Sequence, residues 1–226
     1  MNSPIANKNK SRFKKKLINL HHKWSQNTRC EILGVEISKI IDPIYDKEKK
    51  ITALDFGCGD MKVSSCIHQI LPKIEWTGTD IHEKMDYEKF PFRYVKYGNN
   101  KLPFENDCFD LVLLSDVLHH VIEKEQNEVI KECLRVGRVI IIKDTFEKGI
   151  FSRMILILMD IFGNWAYGVR IPSRYFTKER FLKYCEMNSI SCDIIVSKIE
   201  LYNHLPLFIR LLSPPDLHFI AVLRKK

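Results

Sequence analysis

The run Ala53-Leu-Asp-Phe-Gly-Cys-Gly-Asp60, followed by Thr77-Gly-Thr-Asp80, carries two signals in register. Residues 51–54 are apolar and strand-like, Asp55 closes the run, and the chain then breaks into Gly57 and Gly59. A second short strand ends in Asp80, 21 residues beyond Gly59. This arrangement suits a nucleoside at the carboxyl edge of a parallel sheet. Glycines let the backbone approach a ligand closely, and an acidic residue about 20 positions on can take both ribose hydroxyls. A lone Gly-x-Gly says little; the two pieces together say much more.

Outward from this pair, strand and helix patterns alternate. Residues 63–71 read as a helix stopped by Pro72, 75–80 and 92–97 as strands, and 125–136 as a helix with Val129, Ile130, Cys133 and Leu134 on one face. Phe109-Asp-Leu-Val-Leu-Leu-Ser115 is almost continuously apolar, as a central strand buried on both faces requires, and 139–142 is another such strand. The alternation implies a doubly wound α/β sheet with ligands at its carboxyl edge. Thr177 can cap a helix running to Asn188, and 192–196 with 219–223 read as a final antiparallel pair. Residues 149–176 interrupt the pattern with an apolar helix, then Gly163-Asn-Trp-Ala-Tyr-Gly168 and Ile171-Pro-Ser-Arg-Tyr175, and read as an inserted lid. Upstream, residues 1–10 are expected to be disordered. Phe13, Leu17, Leu20 and Trp24, and then Leu33, Ile37, Ile40 and Ile41, recur at helical spacing. The expected division is therefore a basic arm with helices over 1–48 and one domain over 49–226.

Charge is uneven. Residues 1–50 hold 12 Lys/Arg against 5 Asp/Glu, whereas residues 51–226 hold 24 against 23. A nucleic-acid enzyme carries basic charge around its catalytic groove. The near-neutral candidate region therefore weighs against DNA or RNA as substrate. The basic arm reads as solvated, with weak contact to phosphate or an anionic membrane as the alternative. Seven scattered cysteines without a Cys-x-x-Cys pair argue against a disulfide or zinc framework and point to a reducing, cytoplasmic setting. The greasiest run, Met-Ile-Leu-Ile-Leu-Met at 154–159, is far too short to span a bilayer.

These motifs resemble those of class I S-adenosylmethionine-dependent methyltransferases, in particular the small-molecule enzymes. The likeness is close over about residues 50–145 and looser elsewhere. Ala53-Leu-Asp-Phe-Gly-Cys-Gly59 is similar to the family's first motif, and Gly78-Thr-Asp80 to its second. Tyr97-Gly-Asn-Asn-Lys-Leu-Pro-Phe104 and Phe109-Asp-Leu-Val-Leu-Leu-Ser-Asp-Val-Leu-His-His120 are similar to the third and fourth. The resemblance implies a Rossmann-like, mostly parallel seven-stranded sheet with an antiparallel final strand, and S-adenosyl-L-methionine as cofactor. It implies a cofactor site of Asp55, Gly57, Cys58, Gly59, Asp80, Ile81, Asn99, Asn100, Ser115 and Asp116. Two departures stand out: Met61 occupies the place of a frequent third glycine, and Asn99 that of an acid beside adenine. A dehydrogenase would need Gly-x-Gly-x-x-Gly opening into a helix to hold pyrophosphate, and the third glycine is missing. Asp55 near the turn would also repel a phosphate.

Methyl transfer from a sulfonium needs alignment and dryness more than protein chemistry, with a general base only where the acceptor must lose a proton. His119 and His120 follow the fourth strand on the acceptor edge and are the candidate bases, against a packing role for one of them. Asp144 ends the fifth strand and either orients the acceptor or caps the next turn. Asp116 either contacts the cofactor or caps its turn. Asn164, Tyr167, Arg170, Arg174 and Tyr175 can form an acceptor pocket, with arginine suited to a carboxylate or phosphate. The expected function is methylation of an O, N or C atom of a small molecule, with a hydrophobic acceptor favoured weakly by the apolar 150–162 and 205–212 stretches. The alternatives are a protein or RNA methyltransferase and a non-catalytic methyltransferase-like subunit. No resident metal is expected, and oligomeric state and acceptor identity are not encoded legibly.

Overall fold

Leu111 and Leu113 of strand β4 (Phe109–Ser115) enter one core while Val112 and Leu114 enter another. Successive side chains of a strand point to opposite faces, so an unbroken apolar run supplies two cores at once. The computed structural model describes residues 27–46, 48–82, 92–98, 101–164, 172, 174–207, 210 and 214–226. The helical pattern on Phe13, Leu17, Leu20 and Trp24 lies outside them, as do residues 1–10.

Seven strands form one sheet: β1 (Ile51–Phe56), β2 (Ile74–Asp80), β3 (Arg93–Lys96), β4, β5 (Gly137–Thr145), β6 (Ile190–Val196) and β7 (His218–Lys225). Their order is β3-β2-β1-β4-β5-β7-β6. β1 to β5 are parallel neighbours, and β7 runs antiparallel to both β5 and β6. This is the mostly parallel sheet with an antiparallel final strand that the alternation predicts. β5 divides like β4, with Ile140 and Ile142 on one face and Val139 and Ile141 on the other.

Helices cover both faces. α1 (Asn27–Ile41) and α2 (Lys62–Ile70) bury Leu33, Ile37, Ile41 and Ile67 against one. α3 (Glu123–Val136) and α5 (Lys178–Met187) bury Ile130, Cys133, Phe181 and Cys185 against the other. Gly34 lets α1 lie close on α2: a β-carbon there would come 2.6 Å from that of Cys66. Thr177 accepts the Arg180 amide at 3.2 Å, which caps α5 where the sequence predicts it.

α4 (Ile150–Asn164) is the apolar helix of the interrupting segment. It buries Leu156 and leaves Phe151, Met154 and Leu158 exposed. Its first turn is fixed by a two-pronged pair from Arg153 to buried Glu147, at 2.6 and 2.7 Å. No helix among the described residues is long and apolar enough to cross a membrane.

Candidate active site

The chain leaves β1 toward β2 on one side of the sheet and returns as β4 on the other, which makes the β1/β4 boundary a topological switch point. The glycine turn sits there. Gly57 and Cys58 donate their amides to the Thr79 carbonyl at 2.8 and 3.1 Å, which ties the turn to β2. Asp80 ends β2, and its carboxylate accepts the Gly59 amide at 2.9 Å and the His82 amide at 3.0 Å. Two amides fix the carboxylate in place and leave acceptor capacity for a diol.

The two glycines do different work. Both have positive φ, +66° at Gly57 and +49° at Gly59, the region L side chains avoid. A β-carbon on Gly57 would come 2.7 Å from Val117, whereas one on Gly59 would meet nothing within 4 Å. Gly57 is required by packing; Gly59 faces open space at the sheet edge.

Met61 shows how the chain manages without a third glycine. It takes the left-handed conformation itself (φ 54°) and buries its side chain. A β-carbon on Gly78 would lie 2.6 Å from the Met61 sulfur and 2.9 Å from that of Cys58. The space freed at Gly78 is thus occupied by Met61 and Cys58. Asp55 is buried beneath the turn and accepts the Ser64 hydroxyl at 2.7 Å. Burial pushes its carboxyl up to about 7 against that hydrogen bond, with Asp80 and Asp60 adding to the rise. Burial also raises the Cys58 thiol, so it is no thiolate near neutral pH. Ile81 is exposed beyond β2, and Asn99 and Asn100 lie outside the described residues.

Ser115 ends β4, and Asp116 follows with φ 56°. Its carboxylate lies between Arg29 of α1 and Lys143 of β5, the latter at 2.5 Å. Burial disfavours that carboxylate, but Lys143 and Arg29 outweigh it and hold the group below its usual range. Burial in turn lowers the Lys143 ammonium. α1 is therefore bound to the site by a charge pair as well as by apolar packing.

A single turn, Leu118–His120, carries the histidine pair. His119 is buried, and its Nδ1 lies 2.6 Å from Asp144 Oδ1 at the end of β5. Its Nε2 lies 3.7 Å from Asp160 Oδ1 of α4, and Tyr175 donates its hydroxyl to the other oxygen of Asp160. Burial pulls the imidazole down, but Asp144, then Asp160 and Asp116, outweigh it and raise it to about 9. The His120 ring centre is 4.0 Å from that of His119. Asp144 thus faces His119, and the same oxygen accepts the Thr145 amide at 2.7 Å. A pocket opens beside the pair, lined by His119, His120, Pro172, Arg174, Tyr175 and Arg180.

The predicted acceptor-side residues His119, His120 and Asp144 are brought together. Tyr167 and Arg170 lie outside the described residues, as does the side chain of Asn164. Four members escaped the sequence reading: Arg29, Lys143, Asp160 and Tyr175's bond to Asp160. Two had a signal. Lys143 is a buried lysine directly after the apolar run Val139–Ile142, and Asp160 is the sole acidic residue of α4.

Residues 54–139 match the family described as "Methyltransferase domain". No curated protein sequence matches the chain. Among solved structures, a SAM-dependent methyltransferase from Archaeoglobus fulgidus superposes with a TM-score of 0.61 at 15% identity, over 92% of this chain and 99% of that one. The plantazolicin methyltransferase BpumL, in complex with a monoazolic desmethylPZN analog and SAH, gives 0.60 at 16%, over 94% and 90%. Magnesium protoporphyrin IX methyltransferase from Synechocystis PCC 6803, with bound SAH, gives 0.56 at 16%, over 87% and 83%. At such identities the superpositions speak for the fold, which is theirs. The family match runs from β1 into β5 and takes in the glycine turn and Asp80, so over these residues the chain is similar to a methyltransferase domain.

Proposed function

We propose that the chain methylates an O, N or C atom of a small molecule that enters beside His119 and His120. The observation that carries this reading is the pocket between the histidine turn and the 172–180 segment, next to the end of β4. Arg174 on its wall suits an acceptor bearing a carboxylate or phosphate, while Arg180 there is paired with Glu123 at 2.8 Å. Residues 51–226 are close to neutral in charge, which disfavours a nucleic-acid track.

The open space above Gly59 and the amide-fixed Asp80 fit the cofactor. Bound S-adenosylmethionine supplies an electrophilic methyl group on its sulfonium. Asp80 would hold the ribose hydroxyls, Gly57 and Gly59 would let the main chain approach, and Asp55, Cys58, Ile81, Ser115 and Asp116 would complete the walls. Asn99 and Asn100 are assigned to the adenine end on sequence alone. His119, His120 and Asp144 stand on the acceptor side. α4 and Tyr175 both reach the histidine turn, which supports a lid role for these parts of the interrupting segment. The cysteine usage agrees with a cytoplasmic setting.

The test is transfer of labelled methyl groups into cell extracts separated into small-molecule, lipid, protein and RNA pools. Label should enter the small-molecule or lipid pool. Label confined to protein or RNA would overturn the acceptor class.

A further inference from the structure

We infer that His119, His120 and Asp160 form a binding site for one divalent transition-metal ion at the acceptor edge, an inference that rests on the acceptor-side reading above. One donor atom from each of the three lies within 4.8 Å of the other two. One of these pairs, His119 Nε2 and Asp160 Oδ1, is 3.7 Å apart. Two donors about 2.0–2.2 Å from a tetrahedral ion stand roughly 3.4 Å apart, so the pair needs to close by only a few tenths of an ångström.

The outer contacts favour coordination. Histidine ligands characteristically hand their second ring nitrogen to a carboxylate, which fixes the tautomer and the ring plane. Asp144 does this for His119 at 2.6 Å and leaves Nε2 turned toward Asp160. Asp160 has its own outer partner in the Tyr175 hydroxyl, which engages one carboxylate oxygen while the other faces His119. His119 is buried and the other two are half-buried, so water access is limited on the protein side. The alternative grouping of His119 with Asp144 and Asp116 is weaker, because Asp116 is already neutralised by Arg29 and Lys143.

Two imidazoles and one carboxylate suit iron(II), cobalt(II) or zinc. Calcium and magnesium prefer oxygen donors throughout. Three protein ligands leave open positions toward the pocket lined by Arg174 and Tyr175. An acceptor hydroxyl or enol bound there would be acidified by the ion and would release its proton to water. The acceptor class becomes an oxygen-bearing chelator, with Arg174 matching an anionic group on it.

The experiment uses the full chain with any purification tag removed, stripped with chelator and titrated with cobalt(II) alone. One equivalent should bind and give visible bands of a four- or five-coordinate centre. Asp160→Asn and His120→Ala, both at half-buried positions, should each weaken cobalt binding at least 100-fold. Asp144→Asn should weaken it about 10–100-fold through its ring contact. S-adenosylhomocysteine affinity is measured in parallel on every protein. If cofactor binding is intact but no such bands form, or if they survive Asp160→Asn and His120→Ala, the metal site is wrong and the methyltransferase reading stands. Side-chain-dependent cobalt bands without S-adenosylhomocysteine binding would uphold the metal site and remove the other.

Discussion

Replacing Gly59 with alanine separates a ligand contact from a folding requirement. The new β-carbon meets nothing within 4 Å, so the folded protein bears only the strain of a left-handed alanine at φ +49°. That strain is about 1–2 kcal/mol and should lower the melting temperature by roughly 2–8 °C in a chain of this length. The methyl group projects into the space where the main chain is to approach the cofactor. Crowding a fitted contact costs about 1–3 kcal/mol, which weakens binding roughly 5- to 150-fold. Gly57→Ala is the contrasting variant: its β-carbon would come 2.7 Å from Val117, so strain and clash combine and stability suffers first. Calorimetric titration with S-adenosylhomocysteine, alongside thermal unfolding, reads both quantities. Unchanged affinity in a Gly59→Ala protein that is only slightly destabilised would refute the placement of the cofactor over this glycine.

Three further outcomes follow from buried groups and from a cap. The Asp55 carboxyl is raised in the folded state to about 7, so folding favours its protonated form. Its contribution to stability is fullest below about pH 4 and is lost as pH rises toward 7. Asp55→Asn should therefore raise the urea midpoint more at pH 8 than at pH 4.5, and parallel shifts at the two pH values would rule this out. Asp116→Ala leaves Lys143 buried without its nearest anion and should cost about 3–5 kcal/mol. Adding Lys143→Met should recover most of that loss, and a strictly additive pair of denaturation curves would contradict the coupling. Thr177→Ala removes the α5 cap and should cost about 1 kcal/mol, with a change under about 0.3 kcal/mol counting against the cap.

What could be read in advance was whatever repeats locally. β4 is an unbroken apolar run, and its limits, Phe109–Ser115, are those the sequence predicts. Periodicity also found the α3 face and the cap on α5, because each depends on residues within a few positions of one another. Met61 needed the fold. Its left-handed turn is tolerable because Gly78, 17 positions away on β2, vacates the volume that its side chain fills. Asp144 was legible as a strand-end acid, but its partner was not. The choice between orienting an acceptor and capping a turn depended on His119 lying 25 residues away and arriving by the parallel pairing of β4 with β5.

The groups hidden from the sequence share one physical trait: each is a charge whose partner lies on a different element. Arg29 reaches from α1 to Asp116 after β4, Lys143 reaches Asp116 from β5, and Asp160 reaches His119 from α4. The register explains why they meet. Ser115 pairs with Lys143, so the residues that follow β4 and β5 emerge side by side at one edge. α1 and α4 then close on that edge from different positions in the chain. Apolar strands build the platform, but oppositely charged pairs join the mouth of the site to it. Withdrawing Arg29 still leaves Asp116 its pair with Lys143, and withdrawing Asp160 still leaves His119 its pair with Asp144, so each contact from α1 or α4 adds to a pair already made at the sheet edge. Movement of α1 or α4 away from the sheet therefore breaks one of these pairs together with the apolar contacts of that helix.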